Sequence, residues 1–237
     1  FSLLQSPIRI EQLVKKAKME QKKYVALTDR NVLFGVPAFL RACKQYDIAP
    51  IVGLEVEASV GETEKIGFVI LAKNNEGLAS LYQISALASR KEPTLDELAA
   101  LQAGCALITY GDNDALEAAL EQNDEKQLVA WLRRIQDAFE DLTIAIAMND
   151  SRYRANLNGT LRDTARRCGL PTVALSRVLY LEENEVEDLK VLRAIEKQTT
   201  IEDPALLVSY GRYFRTDAEM ERLYEQADLE MTEQIAA

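Results

Sequence analysis

The chain has 237 residues and a mass of 26.6 kDa, with 28 Lys and Arg against 38 Asp and Glu and a net charge of −10. With 48% apolar and 28% charged residues it has the make-up of a folded protein with ample core material, and its length fits one large α/β domain better than two. It contains no histidine, which excludes a Ser-His-Asp triad, a His general base and His metal ligands from these residues, and its acidity argues against independent binding to duplex DNA.

In chain order, Ser6-Pro7 opens a helix over Ile10–Gln21, with Ile10, Leu13, Val14 and Ala17 on one stripe. Tyr24–Thr28 reads as a short strand ended by Asp29, and Gly35–Tyr46 as a helix carrying Val36, Phe39, Leu40 and Cys43 on one face. Pro50–Ser59 alternates, with Val52, Leu54, Val56 and Ala58 facing one way and Glu55 and Glu57 the other. Gly61 marks a turn into Lys65–Lys73, so these two strands form a hairpin. Glu76–Ser89 is helical, and Thr94-Leu95-Asp96-Glu97 matches a capping box. Cys105–Tyr110 is a buried strand, followed by helices over Asp114–Gln122 and Asp124–Phe139. Leu142–Met148 is a strand, Arg154–Arg167 a helix closed by Gly169, and Pro171–Leu175 a strand. Glu183–Gln198 is helical; an irregular stretch after Pro204 leads to a second capping box at Thr216–Glu219 and a helical tail.

Helices alternating with short apolar strands predict a mostly parallel sheet, open or closed into a barrel, with chemistry at the carboxyl ends of the strands. The residues at those ends are Asp29-Arg30, Glu55 and Glu57, Asn149-Asp150 and Ser176-Arg177: acids and arginines, with no glycine-rich phosphate loop. Cys43, Cys105 and Cys168 are far apart, which predicts free buried thiols in a reducing compartment. The longest apolar run, Ile66–Ala72, is too short to span a membrane, and no export signal opens the chain, so a cytoplasmic location is expected.

Six stretches, in order, resemble the PHP (polymerase and histidinol phosphatase) domain of bacterial replicative DNA polymerase III alpha subunits. Phe1-Ser2-Leu3-Leu4-Gln5-Ser6 resembles that family's Tyr-Ser-Leu-Leu-Asp-Gly segment, and Ala26–Gly35, reading ALTDRNVLFG, its Leu-Thr-Asp-His-Gly-Asn-Met-Phe-Gly motif. Asp47–Val56 is similar to Gly-Ile-Lys-Pro-Ile-Ile-Gly-Cys-Glu-Val, Leu71–Asn74 to Leu-Ala-Lys-Asn, Gly169–Ala174 to Gly-Leu-Pro-Val-Val-Ala, and Tyr213–Met220 to Tyr-Leu-Lys-Ser-x-Glu-Glu-Met. The resemblance implies a distorted (β/α)7-type barrel over residues 1–203, with residues 204–237 an extension whose helical tail leads toward a polymerase body. The family's His-x-His strand would precede Phe1, so the first strand is expected to be absent from this chain.

In active relatives the resemblance implies up to three metal ions and phosphoester hydrolysis by metal-activated water. Here Asp29 and Glu55 match ligand positions by residue type, but Arg30 stands where the motif has His. Ala145 and Ala147 replace a Glu-x-Gln. Ser176-Arg177-Val178-Leu179 replaces Asn-Asp-Val-His, so Arg177 stands for an acid and Leu179 for a His. The loop around Ser89-Arg90-Lys91 also lacks the family's His. A guanidinium where cations would sit costs several kcal/mol, and alanine and leucine offer no donor. The expectation is therefore a metal-free, hydrolytically silent structural module with no cofactor and no catalytic residue. Its partners would be the polymerase domains of the same parent chain and other replisome subunits, with neither strong DNA binding nor membrane contact. The alternative is a 3′–5′ exonuclease or pyrophosphatase using Mn, Zn or Mg.

Asp29 and Glu55 at one mouth would repel unless neutralised, so one expectation is Arg30 or Arg177 within ion-pair distance of one of them; the alternative is that both arginines turn out to solvent and water fills the mouth. Glu57 reads as solvent-facing, Arg133-Arg134 and Arg166-Arg167 as solvated helix faces, and the cysteines as non-nucleophilic.

Overall fold

Alternating apolar residues place one face of each strand against helices and leave the other to line an interior. In the computed structural model, which describes residues 6–110, 114–147, 152–206, 208 and 210–237, six strands do this in one sheet. They are β1 (Tyr24–Arg30), β2 (Ala49–Ser59), β3 (Lys65–Ala72), β4 (Cys105–Thr109), β5 (Leu142–Ala147) and β6 (Thr172–Leu175), ordered as in the sequence. β1 and β2 are parallel, β3 is antiparallel to both neighbours, and β4, β5 and β6 are parallel. Five strands therefore send their carboxyl ends to one rim, and the predicted β2–β3 hairpin is present. The sheet curls into a half-barrel with β1 and β6 as its edges, and a cavity of about 1740 Å³ runs along its inner side and past the β1 edge.

The outer face is the main core. Leu54, Val56, Phe68, Ile70, Leu107, Ile144 and Ile146 pack there against helices α3 (Asn75–Ala88), α4 (Leu95–Ala99), α5 (Ala115–Glu121), α6 (Glu125–Ala138) and α7 (Arg152–Arg167). The stripe of Leu128, Leu132 and Ile135 on α6 is buried as its helical spacing requires. A second cluster seats α1 (Ile10–Met19) and α2 (Val36–Tyr46) on Val25 and Leu27 through Leu13, Val14, Ala17, Phe39 and Cys43. Both capping boxes form: the Thr94 and Thr216 hydroxyls each accept from the backbone N–H three residues on, and Glu97 and Glu219 return the bond.

The described part of residues 204–237 packs against the barrel. After α8 (Val186–Lys197), the segment Arg212–Arg215 returns to the body, with Leu179 N–H donating to the Arg212 carbonyl (2.7 Å). The tail is two helices, α9 (Asp217–Leu223) and α10 (Gln226–Ala236), broken at Tyr224, whose backbone is extended. α10 lies over the inner face of the sheet, where Met231 and Ile235 pack on a cluster that includes Val69, Ile108 and Val173. Polar side chains of the tail blunt the β6 edge: Thr232 of α10 donates to the Ala174 carbonyl (3.0 Å) and the Tyr224 hydroxyl to that of Leu175 (2.9 Å). Through Met231 and Ile235, α10 thus adds apolar cover to the inner sheet face.

Asp228 anchors α10. It is 1% exposed and accepts from Arg162 Nη2 (2.7 Å) and Nε (3.1 Å) on α7 and from the Thr172 hydroxyl (2.5 Å) on β6. Removing one partner of such a buried pair strands the other. Asp228→Ala is expected to lower unfolding free energy by about 3–5 kcal/mol in urea titrations, whereas Glu225→Ala, which removes the exposed partner of Arg162, costs about 0–1 kcal/mol.

Candidate functional site at the barrel mouth

Alternation along β2 buries Leu54, Val56 and Ala58 on the outer face and turns Glu55 and Glu57 into the lumen. Arg30, in register with Glu55 at the end of β1, shares that inner face, and its Nη2 lies 2.7 Å from Glu57 Oε2. Arg177, two residues beyond β6, reaches across the lumen to Glu55, with Nη2 2.8 Å from Oε2 and Nε 3.4 Å from Oε1. Its guanidinium carbon also stands 4.3 Å from the centroid of the Tyr110 ring. The cation is therefore held by a carboxylate fork in its plane and a π face beside it.

Tyr110 follows β4 and donates its N–H to the Gly67 carbonyl (2.8 Å) on β3. Its ring occupies the space a side chain would fill: a Cβ on Gly67 would lie 2.0 Å from the ring. A glycine inside an otherwise apolar strand is the sequence signal for such close approach, and the sequence reading passed over both Gly67 and Tyr110. The Tyr110 hydroxyl is buried without a hydrogen-bond partner among the described residues. Burial first, then the negative charge of Glu55, pushes its pKa far above the ordinary phenol value, with Arg177 pulling the other way.

The structure divides the expected site residues. Glu55, Arg30 and Arg177 meet at the mouth; Glu57 joins them, paired with Arg30 instead of facing solvent alone. Asp29 is the exception. β1 continues through Arg30 rather than ending before Asp29, and period-2 alternation puts Asp29 on the outer face, in register with buried Leu54. There its Oδ2 would be 2.9 Å from a Cβ on Gly35, so the glycine makes room for the carboxylate at the start of α2. Asp29 and Glu55 are therefore on opposite faces.

Ala145, fully buried, belongs to the inner-face cluster with Val173 and Tyr110. The carbonyl of Ala147 accepts from Arg154 Nε and Asn158 Nδ2 of α7, both at 2.9 Å. Leu179 lines the cavity, its carbonyl accepting from the Ser6 hydroxyl (2.8 Å). The Phe1–Gln5 part of the first motif and Asn149-Asp150 lie outside the described residues. Arg133 and Arg134 are exposed, and Arg166 and Arg167 pair with Asp163 and Glu125 at the surface. Burial raises the Cys43 and Cys105 thiols to about 11, which keeps them protonated and poorly nucleophilic at neutral pH.

These residues do not fit a metal cluster. Among the described residues no group of three or more His, Cys, Asp or Glu is placed to hold an ion. Glu55 and Glu57 are engaged by Arg177 and Arg30, and the side chains of Ala145, Ala147 and Leu179 carry no donor atom.

Comparison with known proteins agrees with this architecture. The PHP domain family matches residues 1–151, and the chain belongs to that family. It is 27% identical over its whole length to a DNA polymerase III subunit alpha from Halalkalibacterium halodurans, 34% identical over 85% of its length to one from Staphylococcus epidermidis, and 29% identical over 86% to one from Aquifex aeolicus. The chain spans 22%, 16% and 19% of those relatives. Among solved structures, it shares its fold with an amidohydrolase from Chromobacterium violaceum (TM-score 0.53, 13% identity, 72% of this chain and 82% of that one). A chain described as a metal-dependent phosphoesterase from Bifidobacterium adolescentis is similar to the same degree (TM-score 0.51, 12% identity, 73% and 82%).

Gly67→Ala is expected to push the Tyr110 ring off its seat and cost about 1–3 kcal/mol of stability. In a Tyr110→Ala background the same change should cost at least about 0.5 kcal/mol less, because the two residues share one space. The raised Tyr110 pKa also carries a sign. The folded chain keeps the phenol proton where the unfolded chain loses it, so stability is full below about pH 10 and falls as pH rises above it. Tyr110→Phe should make that alkaline decline shallower in denaturation curves recorded across the range.

Proposed function

We propose that this chain is the PHP module of a DNA polymerase III alpha-type polypeptide serving DNA replication in the cytoplasm. In this reading it is metal-free and hydrolytically inactive and acts as a structural and interaction module for the polymerase. The observation that carries the reading is the Arg177–Glu55 pair stacked on Tyr110, which sets a permanent cation in the part of the lumen where a phosphoesterase of this family would need free carboxylates. The relatives support the setting: they are DNA polymerase III alpha subunits several times longer than this chain, so the polymerase domains of such a parent chain are the natural partners. The acidic net charge supports contact with protein over autonomous DNA binding. Among the described residues no helix is long and apolar enough to cross a membrane. Asp29 serves here as a structural acid of the outer face, and Glu55, Arg30 and Arg177 as elements of the mouth.

The test is metal analysis of the purified chain, with hydrolysis assays on 3′-ended DNA and on pyrophosphate in the presence of manganese, magnesium or zinc. Substoichiometric metal and no turnover are expected. Metal-dependent hydrolysis that survives purification and is abolished by Glu55→Gln would establish the phosphoesterase alternative instead.

A further inference from the structure

Among the described residues, two carboxylates at the barrel mouth each have an arginine within ion-pair distance. Arg177 pairs with Glu55 and Arg30 with Glu57. The two pairs differ in quality. Arg30 and Glu57 are about one-third exposed (35% and 31%), whereas Arg177 and Glu55 are 19% and 14% exposed. Arg177 combines two-point contact to a carboxylate with stacking on an aromatic face. That geometry matches a flat, delocalised cation, because a fork needs two N–H groups in one plane and stacking needs that plane to be exposed. A compact ammonium meets neither condition, and a divalent ion in the guanidinium's place would face the Tyr110 ring, which offers it no lone pair.

We infer that the barrel mouth is a guanidinium-binding site, built by Glu55 and the Tyr110 face on its Gly67 seat, whose resident ligand is the side chain of Arg177. The ligand class is a planar organic monocation. The site bolts the end of β6 to β2 and β4 across the open lumen, a span over which no backbone ladder runs. This deepens the reading of the module as metal-free and rests on it.

If the site recognises the cation itself, removing the side chain should leave a receptor for the free ion. The experiment follows thermal unfolding of the whole chain for wild type, Arg177→Gly, Glu55→Gln and the Arg177→Gly/Glu55→Gln pair. The probes are methylguanidinium chloride at millimolar concentrations, far below denaturing levels, the same concentrations of methylammonium chloride and potassium chloride, and manganese chloride. Arg177→Gly is expected to melt several degrees lower and to regain much of the loss, saturably, with methylguanidinium but not with methylammonium or potassium. Wild type and the double variant should show no such response, and the double variant should be more stable than the sum of the single losses predicts.

Absence of any methylguanidinium response, or an equal response in the double variant, overturns the inference. A rescue by manganese alone overturns it as well. The metal-free reading is judged separately, by the metal content of the wild-type chain. Should Arg177→Gly fail to fold, Arg177→Lys keeps the charge without the plane. It is expected to be less stable than wild type, and a lysine variant as stable as wild type counts against the site.

Discussion

The structure turns on one cation held between a carboxylate and an aromatic face. The sheet is a curl with two edges, and hydrogen bonding between neighbouring strands cannot tie one edge to the far wall. Arg177 spans that distance, gripping Glu55 on β2 while lying on Tyr110 beside β4. Because all three groups are mostly withdrawn from water, the interaction is less screened than a surface pair, and losing one partner would leave a charge or a polar group stranded. Gly67 makes the arrangement possible by giving up its side-chain volume to the Tyr110 ring.

The opposite face of the sheet is organised by ordinary apolar burial. Helices α3 to α7 cover it, and the residues that meet there are apolar and buried. The inner face is treated differently at its two ends. Toward the mouth it carries charge in matched pairs; beneath, α10 lays Met231 and Ile235 over the aliphatic floor and is itself fastened by buried Asp228. The buried ion pair of α10 and the mouth pair follow one rule: a charge is taken out of water only where a partner of opposite sign and further hydrogen-bonding or stacking groups receive it.

Belonging to the PHP family and having a PHP-type lumen are separable properties. The backbone that would gather ligands at the rim is present, with five carboxyl ends pointing one way. At that rim Glu55 pairs with Arg177 and Glu57 with Arg30. A fold of this kind positions whatever residues its strand ends carry, so architecture alone does not specify chemistry.

Local pattern in the sequence was enough for the elements. Apolar spacing marked α1, α2 and α6, alternation marked β2, and two capping boxes marked helix starts, because these signals depend on residues within a few positions of one another. The pattern also named Glu55, Arg30 and Arg177 and predicted that an arginine would neutralise an acid at the mouth. It erred where one residue of register mattered: ending β1 before Asp29 set that acid beside Glu55, whereas two more residues of strand turn it to the other face. It gave no hint that Tyr110 stacks on Arg177, since that contact joins β4 to a loop 67 residues later, nor that α10 folds back, since its apolar residues declare a buried side without naming what covers it. Spacing along the chain determines which faces are apolar and which charges exist; only the closed geometry of the sheet decides which of those faces and charges come to lie together.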